Sequence, residues 1–322
     1  MIAECQLCPK GCRLKEGQRG DCRLRVNLDG KLRAITYGHP CSIHIDPIEK
    51  KPLFHFFPSS KILSLAAAGC NLHCKNCQNW QISQSNPEDI PSYSLSPQEI
   101  VNLAKKEECS MVAYTYTDPF AFYEYALDAS FTARLYSLKN VLVTAGYINK
   151  KPLKRLYEVT DAANIDLKFF DDSMYRKITT GTLKPVLDSL VLAKEAGVWL
   201  EITHLVIPTL NDDFSLIRKM CKWIVNNLGI DVPLHFSRFY PHYLLKNIPP
   251  TSVEVLRSAK VIAKEEGMRY VYIGNVLGEG ENTYCPHDGK LLIQRVGYSI
   301  LSYNLENGRC KFCGHNIAGR WN

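Results

Sequence analysis

The chain has 322 residues, 46% of them hydrophobic, which is enough to bury the core of one main domain with small appendages. Its net charge of +7 is a modest basic excess over this length, so we do not expect a nucleic-acid partner. No apolar run reaches the roughly 18 residues of a membrane span, and no apolar signal core follows Met1. We therefore expect a cytoplasmic protein with no membrane partner.

The cysteines are the most informative feature of the composition. There are 13 of them, and ten fall in three tight clusters. Because a reducing cytosol disfavours disulfides, clustered thiols indicate ligands of a metal ion or an iron–sulfur cluster. Cys41, Cys109 and Cys221 stand alone, and we expect them to be ordinary small apolar residues.

Composition divides the chain into a cysteine-rich N-terminal lobe (1–60), a main domain (61–275) and a cysteine-rich C-terminal lobe (276–322). In the first lobe, the Asp29-Gly30 pair predicts a tight hairpin turn. In the main domain, apolar runs of strand length lie at 62–68, 111–116, 141–144, 163–167, 199–206, 234–236 and 270–273. Ser96-Pro97 predicts the start of a helix between the first two runs, and residues 291–295 predict a strand in the last lobe.

Strands that alternate with helices predict parallel pairing and an α/β fold. Helical spacing at 187–196 and 251–265 supports this alternation. About six βα units predict a partial (βα) barrel that carries small cysteine-rich N- and C-terminal lobes. In such a fold, catalytic residues lie on loops at the carboxyl ends of the strands.

Three cysteines follow the first predicted strand in the spacing C-x3-C-x2-C, as Cys70, Cys74 and Cys77. Three thiolates can hold three irons of a 4Fe-4S cluster and leave the fourth iron open, whereas electron-transfer clusters use four cysteines. A methionyl amine and carboxylate can chelate the open iron, where the cluster can reduce an adjacent sulfonium. The plain alternatives are a zinc knuckle and three thiols that meet by chance.

This motif, at the end of the first strand of a partial barrel, resembles that of the radical S-adenosylmethionine (SAM) superfamily. The resemblance implies an enzyme that cleaves SAM reductively at a 4Fe-4S cluster to a 5′-deoxyadenosyl radical. That radical would abstract hydrogen from a peptide, protein or small-molecule substrate. It also implies an electron donor such as flavodoxin or ferredoxin.

Two later loops lie where that superfamily binds SAM. Thr117 and Asp118 follow the second strand and resemble the loop that holds the methionyl amine. Asp166 and Lys168 follow the fourth strand and resemble the D-x-K motif of the pyruvate formate-lyase activating enzyme branch, although a surface ion pair is the commoner origin of such a pair. Arg238, at a strand end, can neutralise an anionic ligand or form a structural pair.

Several further motifs together resemble one subgroup, the radical SAM enzyme of the AmmeMemoRadiSam system. They are the N-terminal cysteines, 46–53, 78–83, 235–239 and 272–276. This resemblance implies Memo-like and AMMECR-like partner proteins, or a glycyl radical enzyme that the chain activates. The sequence departs from the superfamily at Asn76, where an aromatic residue is usual, and at Asp118, where glutamate is usual. Trp80 is the candidate to pack against adenine instead.

The two outer cysteine clusters predict further metal sites. Cys5, Cys8, Cys12 and Cys22 supply four thiolates, which suit zinc and an accessory iron–sulfur cluster equally. Cys285, Cys310 and Cys313 resemble half of a zinc ribbon, with Asp288 or its neighbour His287 as the fourth ligand. A decayed site held by packing alone is the alternative.

Two rival functions belong to other classes. A zinc-ribbon module that binds nucleic acid or protein would explain the outer cysteines, but it explains neither the barrel pattern nor the three-cysteine motif. A closed-cluster electron carrier would need a fourth cysteine at the central motif.

Overall fold

The computed structural model describes residues 1–321. Two short antiparallel pairs come first: β1 (Ala3–Glu4) with β2 (Arg13–Leu14), and β3 (Arg25–Leu28) with β4 (Lys31–Ala34). Asp29 and Gly30 join the second pair with φ of +53° and +74°, a left-handed conformation that these two residue types tolerate. The predicted hairpin turn is confirmed.

An eight-stranded sheet forms the centre of the molecule, and its strands lie side by side in chain order. They are β5 (Ser42–Pro47), β6 (Lys61–Ala66), β7 (Met111–Tyr114), β8 (Lys139–Thr144), β9 (Ala162–Asp166), β10 (Trp199–Val206), β11 (Leu234–Arg238) and β12 (Val271–Gly274). β5 is antiparallel to β6, and all the other neighbours are parallel. The seven strands from β6 to β12 overlap the seven predicted apolar runs, and β5 and β12 form the two edges of a partial barrel.

Helices fill the six connections between the parallel strands. They are α1 (Trp80–Ser83), α2 (Pro97–Lys106), α3 (Tyr123–Leu135), α4 (Lys150–Tyr157), α5 (Asp172–Thr179), α6 (Leu183–Glu195), α7 (Phe214–Leu228) and α8 (Val253–Glu265). The predicted start of α2 is confirmed. The Ser96 hydroxyl oxygen accepts from the Glu99 backbone N–H (3.3 Å), and the Glu99 carboxylate accepts from the Ser96 N–H (2.7 Å).

The parallel strands are buried on both faces, which explains why they appear in the sequence as continuous apolar runs. All four residues of β7 are buried, as are four of the five in β9. Among residues 1–321, no helix combines the length and the apolar character that crossing a membrane requires.

The C-terminal segment forms a small antiparallel sheet of β13 (Thr283–Tyr284), β14 (Leu291–Val296) and β15 (Ser299–Tyr303). A further pair, β16 (Leu305–Glu306) and β17 (Arg309–Cys310), follows it. β14 confirms the strand predicted at 291–295. The buried Arg295 guanidinium donates to the Phe54 carbonyl oxygen (2.7 Å) and ties this segment to the barrel.

The predicted boundaries at residues 60 and 275 stay predictions. β5 lies within the range 1–60 but pairs with β6 of the main sheet. The segment after β5 is bound to the barrel by Glu201, whose buried carboxylate accepts from the backbone N–H groups of Phe54 (3.0 Å) and His55 (2.8 Å). His235 contacts the same carboxylate at 2.7 Å.

Gly69 holds the N-terminal residues against the loop that carries the central cysteines. Its φ is +91°, and a Cβ there would lie 2.6 Å from the Cys22 carbonyl oxygen and would also overlap the Leu24 side chain. Only glycine combines this conformation with this close approach.

We expect Gly69→Ala to lower the free energy of unfolding by about 2–4 kcal/mol, because the left-handed conformation and the collision both cost free energy. Gly197→Ala is the matched control, since Gly197 has φ +73° but open space around its Cβ position. It should cost only about 1 kcal/mol. Urea unfolding followed by circular dichroism measures both, and equal losses would contradict the close approach.

Candidate active site and metal centres

A cavity of about 780 Å³ opens at the carboxyl ends of the parallel strands. Its walls contain seven of the eight central site residues predicted from the sequence. These are Cys70, Cys74, Cys77, Thr117, Asp118, Asp166 and Lys168. The volume falls within the range of ordinary ligand sites, which is roughly 300–1,000 Å³.

Backbone hydrogen bonds on both sides hold the central cysteine loop in place. The Gly69 N–H donates to the Ile82 carbonyl (2.7 Å) in α1. The His73 and Lys75 N–H groups donate to the carbonyls of Thr179 (3.0 Å) and Ile178 (2.9 Å) at the end of α5. The three thiols are thus placed by elements that lie about 100 residues apart in the chain.

The surroundings of these thiols fit an iron–sulfur cluster. Burial raises the pKa of Cys70 well above its usual range, and burial raises the pKa of Cys74 to about 12 although the Lys168 ammonium opposes that rise. Buried thiolates need a nearby cation to stabilise their negative charge, and the iron of a cluster is such a cation. The Asn76 amide oxygen lines the same cavity and, among residues 1–321, has no hydrogen-bond partner, so a polar ligand can satisfy it.

The loop after β7 is organised by Asp118. Its buried carboxylate accepts from the backbone N–H groups of Phe120 (3.0 Å) and Ala145 (2.8 Å), and from the Thr144 hydroxyl (3.0 Å). The Thr117 hydroxyl donates to the Ala67 carbonyl (2.8 Å) at the end of β6. Both side chains face the cavity but are engaged within the protein, so the contact predicted between Asp118 and the methionyl amine stays a prediction.

Asp166 and Lys168 both line the cavity. The Lys168 ammonium donates to the Asp166 carboxylate at 2.8 Å. Burial acts to lower the pKa of Lys168, but the charges of Asp166 and Cys74 outweigh burial and raise it above its usual range. Lys168 is therefore protonated at neutral pH, and it can donate to an oxygen of a ligand.

Arg238 contacts a residue that lines the cavity, Tyr240. Its Nε donates to the Thr251 carbonyl (2.8 Å), and its guanidinium lies over the Tyr240 ring, 5.0 Å from the ring centroid. The predicted role of Arg238 in neutralising an anionic ligand stays a prediction. Trp80 likewise stacks on Tyr243, with 5.1 Å between ring centroids.

Charged residues that sequence reasoning left without a role also line the cavity. The buried Lys51 ammonium donates to the Asp46 carboxylate (2.6 Å) and lies 4.4 Å from the Tyr116 ring centroid. Glu49 is also buried, and within the described chain its Oε2 atom has no hydrogen-bond partner. The run 46–53 was visible as a motif, but no periodicity placed it at the cavity.

In the C-terminal segment, the structure brings together the four residues predicted to bind zinc. The ligand atoms of Cys285, Asp288, Cys310 and Cys313 all lie within 4.8 Å of one another, and the sulfurs of Cys285 and Cys313 are 3.7 Å apart. His287, the alternative fourth ligand, stacks on His315 instead. The N-terminal cysteines Cys5, Cys8, Cys12 and Cys22 all line a separate cavity of about 20 Å³.

Comparison with known proteins agrees with this geometry. A sequence profile described as the Radical SAM superfamily matches residues 65–224, which include the central cysteine loop and both later loops. The chain belongs to the radical SAM superfamily. Membership in this superfamily implies an enzyme that uses a 4Fe-4S cluster and SAM and that receives its electron from a donor.

Two curated relatives extend the comparison. The uncharacterized protein MJ0808 of Methanocaldococcus jannaschii is 48% identical over 316 residues, which cover 97% of this chain and 94% of that protein. The pyruvate formate-lyase-activating enzyme of Clostridium pasteurianum is 22% identical over 216 residues, which cover 61% of this chain and 87% of that enzyme.

Solved structures share the fold at low sequence identity. A radical SAM methyltransferase from Sphaerobacter thermophilus superposes with a TM-score of 0.52 at 13% identity, over 68% of this chain and 67% of that one. Streptococcus suis SuiB bound to S-adenosylmethionine gives 0.51 at 11% identity, over 75% of this chain and 56% of that one.

We expect the C-terminal segment to bind about one zinc ion, because its ligand spacing matches tetrahedral zinc, and structural zinc supplies folding free energy to small lobes. Cys313→Ser should lower the zinc content by about one ion per chain and make this segment sensitive to protease. The control Cys41→Ser should leave both unchanged. Elemental analysis of protein purified without chelators measures the zinc, and a protease-resistant segment free of metal would contradict the assignment.

Proposed function

We propose that Cys70, Cys74 and Cys77 hold the 4Fe-4S cluster and that this enzyme cleaves SAM reductively in the large cavity. The convergence of these three thiols with Lys168 and Asp166 on one cavity carries the proposal. Cluster and SAM-binding groups must share one space, because the open iron has to contact its ligand directly.

When bound, the cluster supplies the electron that cleaves SAM. The residues of the chain would bind and orient the ligand. The Lys168 ammonium, held by Asp166, would donate to a ligand carboxylate or ribose oxygen. The Thr117–Asp118 loop, fixed through Thr144 and Ala145, would present its backbone to the methionyl amine.

The part of the cavity lined by Glu49 and Lys51 would bind the substrate from which hydrogen is abstracted. Charged side chains in a cavity wall favour a substrate with polar groups. The adjacent Lys51, which Asp46 holds in place, favours an acceptor on the same substrate. A peptide, a protein segment or a polar small molecule has this combination of groups.

A glycyl-radical enzyme activase is the second candidate. The pyruvate formate-lyase-activating enzyme of Clostridium pasteurianum aligns over 61% of this chain, and the aligned part covers most of that enzyme. A glycine on a partner enzyme would then be the target. The alternative is a reaction shared with Memo-like and AMMECR-like partners, as in the AmmeMemoRadiSam system. Flavodoxin or ferredoxin would serve as the electron donor in either case.

We expect the anaerobically reconstituted protein to convert SAM to 5′-deoxyadenosine and methionine when dithionite is the reductant. Alanine at Cys70, Cys74 or Cys77 removes one of three protein ligands, so iron at this site should become labile and turnover should vanish. Cys41→Ala is the control and should keep both. Iron and sulfide analysis with Mössbauer spectroscopy reports the cluster, and full central-cluster content in all three variants would refute the assignment.

We expect Asp166→Ala and Lys168→Ala to keep the cluster but weaken SAM binding. A lost charged hydrogen bond costs roughly 1.5–3 kcal/mol, which is about ten- to a hundredfold in binding or rate. Lys184→Ala breaks an ion pair with Asp188 on the surface of α6 and should change nothing. SAM affinity, cluster absorbance and product formation are the measurements. Unchanged affinity in both variants would exclude this loop from the SAM site.

A further inference from the structure

We propose that Cys5, Cys8, Cys12 and Cys22 hold a second iron–sulfur cluster rather than zinc, and that it passes electrons to the central cluster. The spacing of these residues in the sequence suits both metals equally. The positions of their sulfur atoms distinguish the two.

Zinc requires its thiolates to be close together. Zinc–sulfur bonds of about 2.3 Å in a tetrahedron place the sulfurs roughly 3.8 Å apart. The C-terminal set meets this condition, with 3.7 Å between the Cys285 and Cys313 sulfurs. Among residues 1–321, that set is the one group of three or more metal-ligating residues whose ligand atoms all lie within 4.8 Å of one another. No three of the N-terminal thiols approach so closely.

The three central thiols provide the opposite comparison. They belong to a radical SAM motif, and their three sulfur atoms likewise do not all lie within 4.8 Å of one another. An iron–sulfur cluster separates its cysteine ligands more widely than a single ion does, because inorganic sulfide and more than one iron lie between them. In lying outside this limit, the N-terminal thiols are like the central set and unlike the C-terminal set.

The N-terminal thiols nevertheless surround one common space. All four cysteines line the same cavity of about 20 Å³. A Cβ on Gly20 would lie 3.8 Å from the sulfurs of both Cys12 and Cys22, so the backbone runs close beside the ligands. All four cysteines thus lie around one space, as the ligands of a single cluster would.

Basic side chains complete this site. Lys10 and Arg25 line the cavity together with the thiols, and Arg25 is buried. Lys10 also pairs with Asp21 and Arg25 with Glu124. Four thiolates around an iron–sulfur core carry net negative charge, and both cations lie beside it. The Cys5 N–H donates to the Cys12 carbonyl (2.8 Å), which joins the first and third cysteines of the motif.

The proposed cluster would lie directly against the central loop. Asn71 is part of the N-terminal cavity wall, and its neighbour Cys70 is part of the large cavity wall. The Cys22 carbonyl lies against Gly69, and the Asp21 carboxylate contacts the His73 ring nitrogen at 2.8 Å. Adjacent residues of the central loop therefore line the two cavities.

Because the N-terminal cluster would lie beside the central loop, it can pass electrons to the central cluster. This role rests on the function proposed above. A low-potential one-electron donor, flavodoxin or ferredoxin, would be oxidised as it reduces the N-terminal cluster. That cluster would then return to its oxidised state as it passes the single electron to the central cluster.

The metal assignment is tested in a chain with Cys70, Cys74 and Cys77 all changed to alanine. After anaerobic reconstitution with iron and sulfide, we expect about two to four iron atoms, matching sulfide and about one zinc per chain. Mössbauer spectroscopy distinguishes the two cluster sizes. Adding Cys8→Ser and Cys12→Ser should remove this iron, whereas adding Cys41→Ser should not. About two zinc ions with no iron would overturn the proposal.

Should the triple variant not fold, the otherwise unchanged chain gives the same answer. The central cluster alone accounts for about four iron atoms per chain, and the unchanged chain should contain more than this. The Cys8→Ser/Cys12→Ser variant should contain only about four. Iron that stays at about four in both proteins would overturn the assignment.

The electron transfer step is tested in the Cys8→Ser/Cys12→Ser chain. Stopped-flow absorbance measures the rate at which reduced flavodoxin reduces the central cluster, and in each protein this rate is divided by the rate with dithionite. The ratio should be about tenfold lower, or lower still, in the variant than in the unchanged chain. An unchanged ratio would overturn the transfer step. Failure of the proposed function itself would differ, because dithionite would then yield no 5′-deoxyadenosine even from the unchanged protein.

Discussion

The parallel pairing of β6 to β12 is the constraint on which the site depends. Parallel strands all end at the same edge of a sheet, so each loop that follows a strand opens on one cavity. Cys70 follows β6, Asp118 follows β7 and Lys168 follows β9, although almost 100 residues separate the first from the last. If one strand changed direction, its loop would lie at the other end of the barrel.

The same constraint explains why so much of this fold could be predicted. A strand that is buried on both faces has no regular polar alternation, so these strands appear in the sequence as predominantly apolar runs, of which β7 is the clearest. The Ser96 capping box and the Asp29-Gly30 turn are local, and both were predictable from a few neighbouring residues. The segment after β5 was not predictable, because it is held by Glu201, a buried residue from a distant strand.

Side-chain roles in the site depend on partners that a motif does not specify. Asp118 occupies a motif position, yet its carboxylate accepts from Phe120, Thr144 and Ala145 and so acts on the loop itself. Arg238 lies at a strand end, as a ligand-binding arginine would, but the Thr251 carbonyl and the Tyr240 ring engage it. The metal of each outer cysteine set was also undetermined, because spacing along the chain does not give the distances between sulfurs.

The close contact at Gly69 limits how this protein can diverge over evolutionary time. A side chain at position 69 requires both the Cys22 carbonyl and the Leu24 side chain to move. Homologues that lose the glycine should therefore also have a remodelled or deleted 22–24 turn, and homologues that keep the turn should keep the glycine. The N-terminal cysteine segment and the barrel loop should thus be inherited as a pair, so that exchanging one of them between distant homologues would disrupt the other.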